Sequence, residues 1–141
     1  MKNIIFPEAL EVYFPEIDAS KSDFADDGYV SAYISIFDHW LTEAEADNCN
    51  ILTYASAENA GALQEYLVGE ERYLNFYIDI AKSGLFCNRP GPLRKISPSD
   101  RALRQIFVDS LRERRFMDVY FILPGIRVIG RWDRTDLILA K

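Results

Sequence analysis

An α+β fold is what this chain predicts, and three observations carry that prediction. Two segments, 29–37 and 72–81, alternate apolar residues with others at the two-residue period of a strand. Helix-start patterns stand at Thr42–Glu45 and Ser97–Asp100. The last quarter is a run of short apolar segments broken by turn residues. The expected architecture is one domain spanning 1–141: a mixed, mainly antiparallel sheet of four to five strands with about three helices packed on it.

The opening segment is punctuated by Pro7 and Pro15, which suit the start and the end of a short helical turn. Residues 16–28 are poor in apolar side chains and carry Asp18, Asp23, Asp26 and Asp27, so they read as an exposed acidic loop. Segment 29–37 places Val30, Ala32, Ile34 and Ile36 on one face and Ser31, Tyr33, Ser35 and Phe37 on the other. With both faces largely apolar, it reads as a strand in the middle of its sheet.

Thr42 and Glu45 form a capping-box pair, which starts a helix over 43–54 with Ala46, Cys49 and Leu52 or Thr53 inward. A second short helix is expected over 56–69, burying Ala60, Leu63 and Leu67 and stopping at Gly69. Segment 72–81 is expected as a strand with Leu74, Phe76, Ile78 and Ile80 inward. Gly84, Pro90, Gly91 and Pro92 break 83–96 into a loop with room for a short strand at 85–87. Ser97 as cap and Pro98 at the first helical position start a helix running to 115, with Leu103, Ile106, Phe107 and Leu111 buried. Strands at 118–122, 126–132 and 137–140 follow, separated by Leu123–Gly125 and Asp133–Asp136.

Charge is split along the chain. Residues 1–82 hold four Lys or Arg against sixteen Asp or Glu, a net −12; residues 83–141 hold twelve against six, a net +6. Such asymmetry speaks to partners and association rate rather than to fold. Hydrophobic residues at 49% leave ample material for a core, and disorder is excluded. No apolar run reaches the roughly 20 residues of a membrane span. Pro7 and Glu8 interrupt the stretch that a signal peptide would need, so the cytoplasm is the expected compartment. Cys49 and Cys87 are expected as free thiols packed like small apolar residues.

Several chemistries lack their residues. His39 is the single histidine, so any nucleophilic triad would depend on it, and no serine or cysteine stands in a nucleophile-elbow or cysteine-protease context. Two cysteines and one histidine fall short of a structural zinc set, and no phosphate-cradling glycine pattern exists; no cofactor or metal is expected. Arg89, Arg94, Lys95, Arg101, Arg104, Arg112, Arg114 and Arg115 form a dense basic group, but the acidic first half would repel a nucleic acid. Direct nucleic-acid binding is not expected.

Asp23, Asp26, Asp27, Asp38, Glu43, Glu45 and Asp47 flank the first strand, with Tyr29, Tyr33 and Trp40 interleaved. Carboxylates among Tyr and Trp suit a protein that mimics phosphates and docks on a basic cleft, and these ten residues are the candidate partner-binding site. The C-terminal run FILPGIRVIGRWDRTDLILA, about the last quarter of the chain, resembles the terminal hairpin and WDRT-type turn of immunity proteins that bacteria pair with contact-dependent growth-inhibition or polymorphic toxins. That resemblance implies a small acidic α+β protein that is not an enzyme and that inhibits a cognate toxin domain, a nuclease, by stoichiometric binding. Two alternatives come from other classes. One is an intracellular enzyme using Asp133 and Asp136 beside Arg134, or the Asp38–His39 pair. The other is a homodimeric adaptor in which the basic helix of one copy meets the acidic loop of another.

Overall fold

The computed structural model describes residues 9–18, 20–21, 23–37 and 39–141, and one six-stranded antiparallel sheet organises them. Its strands are β1 (Val30–Ser35), β2 (Leu85–Arg89), β3 (Arg94–Ile96), β4 (Asp118–Phe121), β5 (Ile126–Ile129) and β6 (Thr135–Ala140), in the order β1-β6-β5-β4-β2-β3. Four helices, α1 (Glu43–Asp47), α2 (Tyr54–Ala60), α3 (Leu63–Ile80) and α4 (Ala102–Leu111), complete the α+β fold. One more strand and one more helix are present than the sequence pattern suggests, and every strand pairing is antiparallel.

β1 is an edge strand, not a central one. Its mixed faces have a different cause: Ile34 and Ile36 pack on the main core, while Tyr33 packs on a smaller cluster across the sheet. The register with β6 places Tyr33 opposite Leu137 and Ser35 opposite Thr135. Val30, at the far end, is 73% exposed.

The largest departure from the sequence pattern is segment 72–81, which lies inside the 18-residue helix α3. Tyr66, Gly69, Glu70, Tyr73, Leu74 and Tyr77 are its buried residues, the three-and-four spacing of one helical face. Phe76 and Ile78, expected inward, are 38% and 41% exposed. The helix expected at 43–54 ends at Asp47, and a second capping box, Thr53 with Ser56, starts α2. Gly61 ends α2 at φ 71°, with the Ala62 amide donating to Ala57 O at 2.8 Å, so the stop lies at Gly61 rather than Gly69. Ala60 is exposed, Leu63 half-buried and Leu67 38% exposed, because the helices that carry them begin and end elsewhere.

α4 buries the expected Leu103, Ile106, Phe107 and Leu111 but is shorter than 97–115. Residues 97–100 form a turn, and the Asp100 carboxylate accepts from the Ala102 amide at 2.8 Å. Glu113, at φ 61°, leaves the helical region and ends the run. Helices α3 and α4 bury Tyr73, Leu74, Tyr77, Phe107 and Leu111 against Leu85, Cys87, Val119, Phe121 and Val128 of the sheet. The opposite face is covered by Tyr13, Ile17, Phe24 and Tyr29 of the N-terminal segment. Tyr13 stacks near Phe86 and Tyr120 (centroids 4.8 and 4.6 Å), and Phe24 is fully buried beside Leu137 and Leu139. Both cysteines are free; Cys87 is buried in the core, and burial pushes its thiol up to about 11.

Gly130 is where β5 meets the turn after α4. A Cβ there would sit 2.1 Å from Ser110 Oγ and 3.2 Å from the Met117 amide nitrogen, and that hydroxyl already accepts from Met117 N at 3.0 Å. Gly130→Ala is expected to cost about 1–3 kcal/mol by overpacking. Pairing it with Ser110→Gly should recover much of the loss in chemical denaturation, and no recovery would place the cause elsewhere.

Candidate functional site

The strand pairing gathers exposed aromatic side chains at one end of the sheet. Tyr33 of β1 meets Trp40 edge-on at 5.3 Å between centroids, and Trp40 is 72% exposed. A cleft of about 360 Å³ opens among Tyr33, Ser35, Phe37, His39, Trp40 and Thr135. A second, of about 240 Å³, shares Tyr33, Trp40 and Thr135 and is closed by Arg131, Trp132 and Asp133. Trp132 is 63% exposed and leans edge-on against Phe116 at 4.8 Å. Two tryptophans far apart in sequence therefore flank one tyrosine because β1 pairs with β6.

A short acidic helix follows Trp40 in the chain. The Thr42–Glu45 capping box orients α1, and Glu45 accepts from the backbone of Thr42 at 3.1 Å and contacts His39 Nε2 at 2.8 Å. The contact with His39, then the Thr42 amide, holds the Glu45 carboxyl below its ordinary value. Glu43 and Asp47 lie exposed on the same short helix, with no described cation within ion-pair distance.

Asp23, Asp26 and Asp27 are at the other end of β1, roughly 17 Å away along the strand. Asp27 pairs with Lys21 at 3.3 Å, Asp23 accepts from the Ala25 amide at 2.9 Å, and Asp26 is exposed. The carboxylates expected as one anionic face thus form two groups. Tyr29 is only 8% exposed and lies under Lys141 Nζ at 4.7 Å, so it supports the loop from inside rather than offering a contact surface. Asp38 lies outside the described residues. Trp132 was missed as a site residue: its segment reads as a strand end, and only the β1–β6 register brings it to Tyr33.

Behind the cleft the turn Trp132–Arg134 is pinned from within. Asp133 and Arg134 both have positive φ, 61° and 51°, and Arg134 is 1% exposed. Its guanidinium donates to Tyr66 O at 3.2 Å and to Ile51 O, and stacks 4.2 Å over the Tyr66 ring. Gly69 leaves space for it; a Cβ there would stand 2.7 Å from Arg134 Nη1. The Tyr73 hydroxyl donates to Arg134 O. Asp136 is 1% exposed, whereas Asp133 is exposed, so these two carboxylates and Arg134 do not face one common site.

Much of the basic group is held internally. Arg112 makes a two-pronged contact with Glu70 at 2.8 Å, Arg114 reaches Asp109 at 3.9 Å, and Arg104 reaches Glu71 at 3.7 Å. Arg94 donates to Pro90 O and Pro92 O. Among the described residues no group of three or more His, Cys, Asp or Glu is placed to hold a metal ion, and no helix is long and apolar enough to cross a membrane.

Fold and site together define an α+β protein with an exposed aromatic cleft beside a short acidic helix. Comparisons with protein-family models, with curated proteins and with solved structures return no match.

Proposed function

We propose that this chain is an immunity-type inhibitor that neutralises a toxin domain of the nuclease class by stoichiometric binding. One observation carries the reading: Trp40 and Trp132, both more than 60% exposed, flank Tyr33 in a cleft lined by Asp133 and by His39, which contacts Glu45. Exposed tryptophans cost hydration free energy in the free protein and return it when covered, which makes them the usual centres of tight interfaces. Glu43 and Asp47, exposed on the short helix that follows Trp40 in the chain, supply the sign needed to attract a basic substrate cleft and to raise the association rate.

The test is a binding titration against the product of the adjacent gene, with nuclease activity followed in parallel. Trp40→Ala and Trp132→Ala are each expected to weaken the complex about 30-fold or more through faster dissociation. Glu43→Lys with Asp47→Lys is expected to slow association and flatten its salt dependence. These side chains are exposed, so the variants should fold normally. Absence of a complex, or a complex indifferent to both tryptophans, would overturn the proposal.

A further inference from the structure

The two edges of the sheet are treated differently. β3 is three residues long, carries Arg94 and Lys95, and follows Pro92; short, charged, proline-flanked strands are how sheets blunt an edge. β1 has six residues, Val-Ser-Ala-Tyr-Ile-Ser, with no charge and no proline. Among the described residues nothing pairs with its outer side.

Helix α3 runs alongside that open edge. Ile34, Ser35 and Ile36 form a groove of about 170 Å³ with Arg72, Tyr73 and Phe76 of α3. A neighbouring groove joins Ile36 and Phe37 to Glu65, Val68 and Arg72. Val68 and Phe76 are 59% and 38% exposed, and Val30 is open farther along the strand. Among the described residues, backbone edge and apolar helix flank are therefore uncovered side by side. Arg72 stands among them, with no described carboxylate within ion-pair distance.

We infer that this face pairs with a second copy of the chain, β1 against β1 antiparallel about a twofold axis, with α3 packing on α3 above it. Charge spacing along α3 selects that occupant. Arg72 and Asp79 are seven residues apart, which sets them two turns apart on nearly the same flank. In an antiparallel pair centred between them, each Arg72 faces the Asp79 of the other copy, and Phe76 meets its counterpart beside the axis. The strand agrees with that centre: Gly69 and Arg72 lie by Ile36, while the Tyr73 hydroxyl oxygen lies 2.9 Å from Ile34 O, so α3 runs opposite to β1 and its residue 76 falls near the strand's midpoint. Asp79 contacts Lys82 on its own helix at 2.7 Å, and both are largely exposed, so Asp79 can take an additional cation. The twofold would continue the sheet across twelve strands and set the two aromatic clefts at opposite ends of it.

Sedimentation velocity of the full chain over a concentration series reads this directly. The wild type is expected to dimerise at concentrations up to about 200 µM, and Arg72→Asp should weaken the dimer about tenfold or more by setting like charges against each other. Arg72→Asp combined with Asp79→Arg restores the opposition and should recover the dimer. Ala32→Pro, which disturbs the strand edge, should abolish it while circular dichroism confirms the fold. A chain that stays monomeric throughout, or a dimer indifferent to both the charge exchange and Ala32→Pro, would overturn the inference.

Discussion

Asp118→Asn is expected to cost about 3–5 kcal/mol of folding stability. Asp118 of β4 and Arg127 of β5 lie diagonally across the strand pair on the face that Tyr13 and Phe14 approach, with side chains only 4% and 7% exposed. The carboxylate accepts from Arg127 Nε at 2.8 Å and Nη2 at 2.9 Å, and from Asn88 at 3.0 Å. Arg127 spends its remaining reach on Pro15 O at 2.7 Å and lies 5.4 Å over the Phe14 ring. Burial disfavours its charge, but the bonds to Asp118 outweigh that and raise its pKa. Neutralising one partner strands the other charge in a medium that solvates it poorly, which is why breaking such a pair costs more than the pair contributes.

Because Arg127 also holds the N-terminal segment, the Asp118 variant should expose residues 9–18 to hydrogen exchange ahead of global unfolding. Asp118→Leu with Arg127→Met should be far less destabilised than Asp118→Asn alone, since no uncompensated charge remains. Denaturant titration of the three variants settles this; a loss below about 1 kcal/mol for Asp118→Asn would mean that water reaches the guanidinium.

How much of this molecule could be read from its sequence depends on the range of the forces involved. Local signals worked where one interaction within four residues decides the outcome. The Thr42–Glu45 box forms as expected, and the C-terminal segments around Leu123–Gly125 are strands β4 and β5. Segment 72–81 failed because it satisfies two periods at once. Leu74, Phe76, Ile78 and Ile80 alternate, while Tyr66, Glu70, Tyr73, Tyr77 and Ala81 repeat every three or four residues. The helical set won because it includes the hydroxyls: Tyr73 bonds Ile34 O and Tyr77 bonds Asp136, contacts that a hydropathy pattern does not count. The candidate site was half legible for the same reason. Tyr33 and Trp40 are seven residues apart, but Trp132 reaches them only through a pairing that spans about a hundred positions.

Stability should also depend on one buried acid. Asp136 is fully enclosed at the start of β6, where its carboxyl accepts from the Tyr77 hydroxyl at 2.5 Å and from the Arg131 amide at 3.2 Å. Burial outweighs both bonds and pushes its pKa up from 3.8 to about 6. Between those values the folded chain keeps a proton that the unfolded chain has released, so stability falls as pH rises through this window. Below the lower value the group makes no demand. Above the upper one the enclosed charge costs about 3 kcal/mol. Asp136→Asn removes the titration while keeping the shape and an acceptor for the Arg131 amide. Its stability relative to the wild type should therefore climb by about 2.5 kcal/mol from pH 4 to pH 7, then stay level. Glu113, whose carboxyl is also raised by burial, titrates in both proteins and cancels in the difference. Denaturant midpoints across that pH range measure the effect, and parallel curves for the two proteins would show that Asp136 is charged at no cost within the fold.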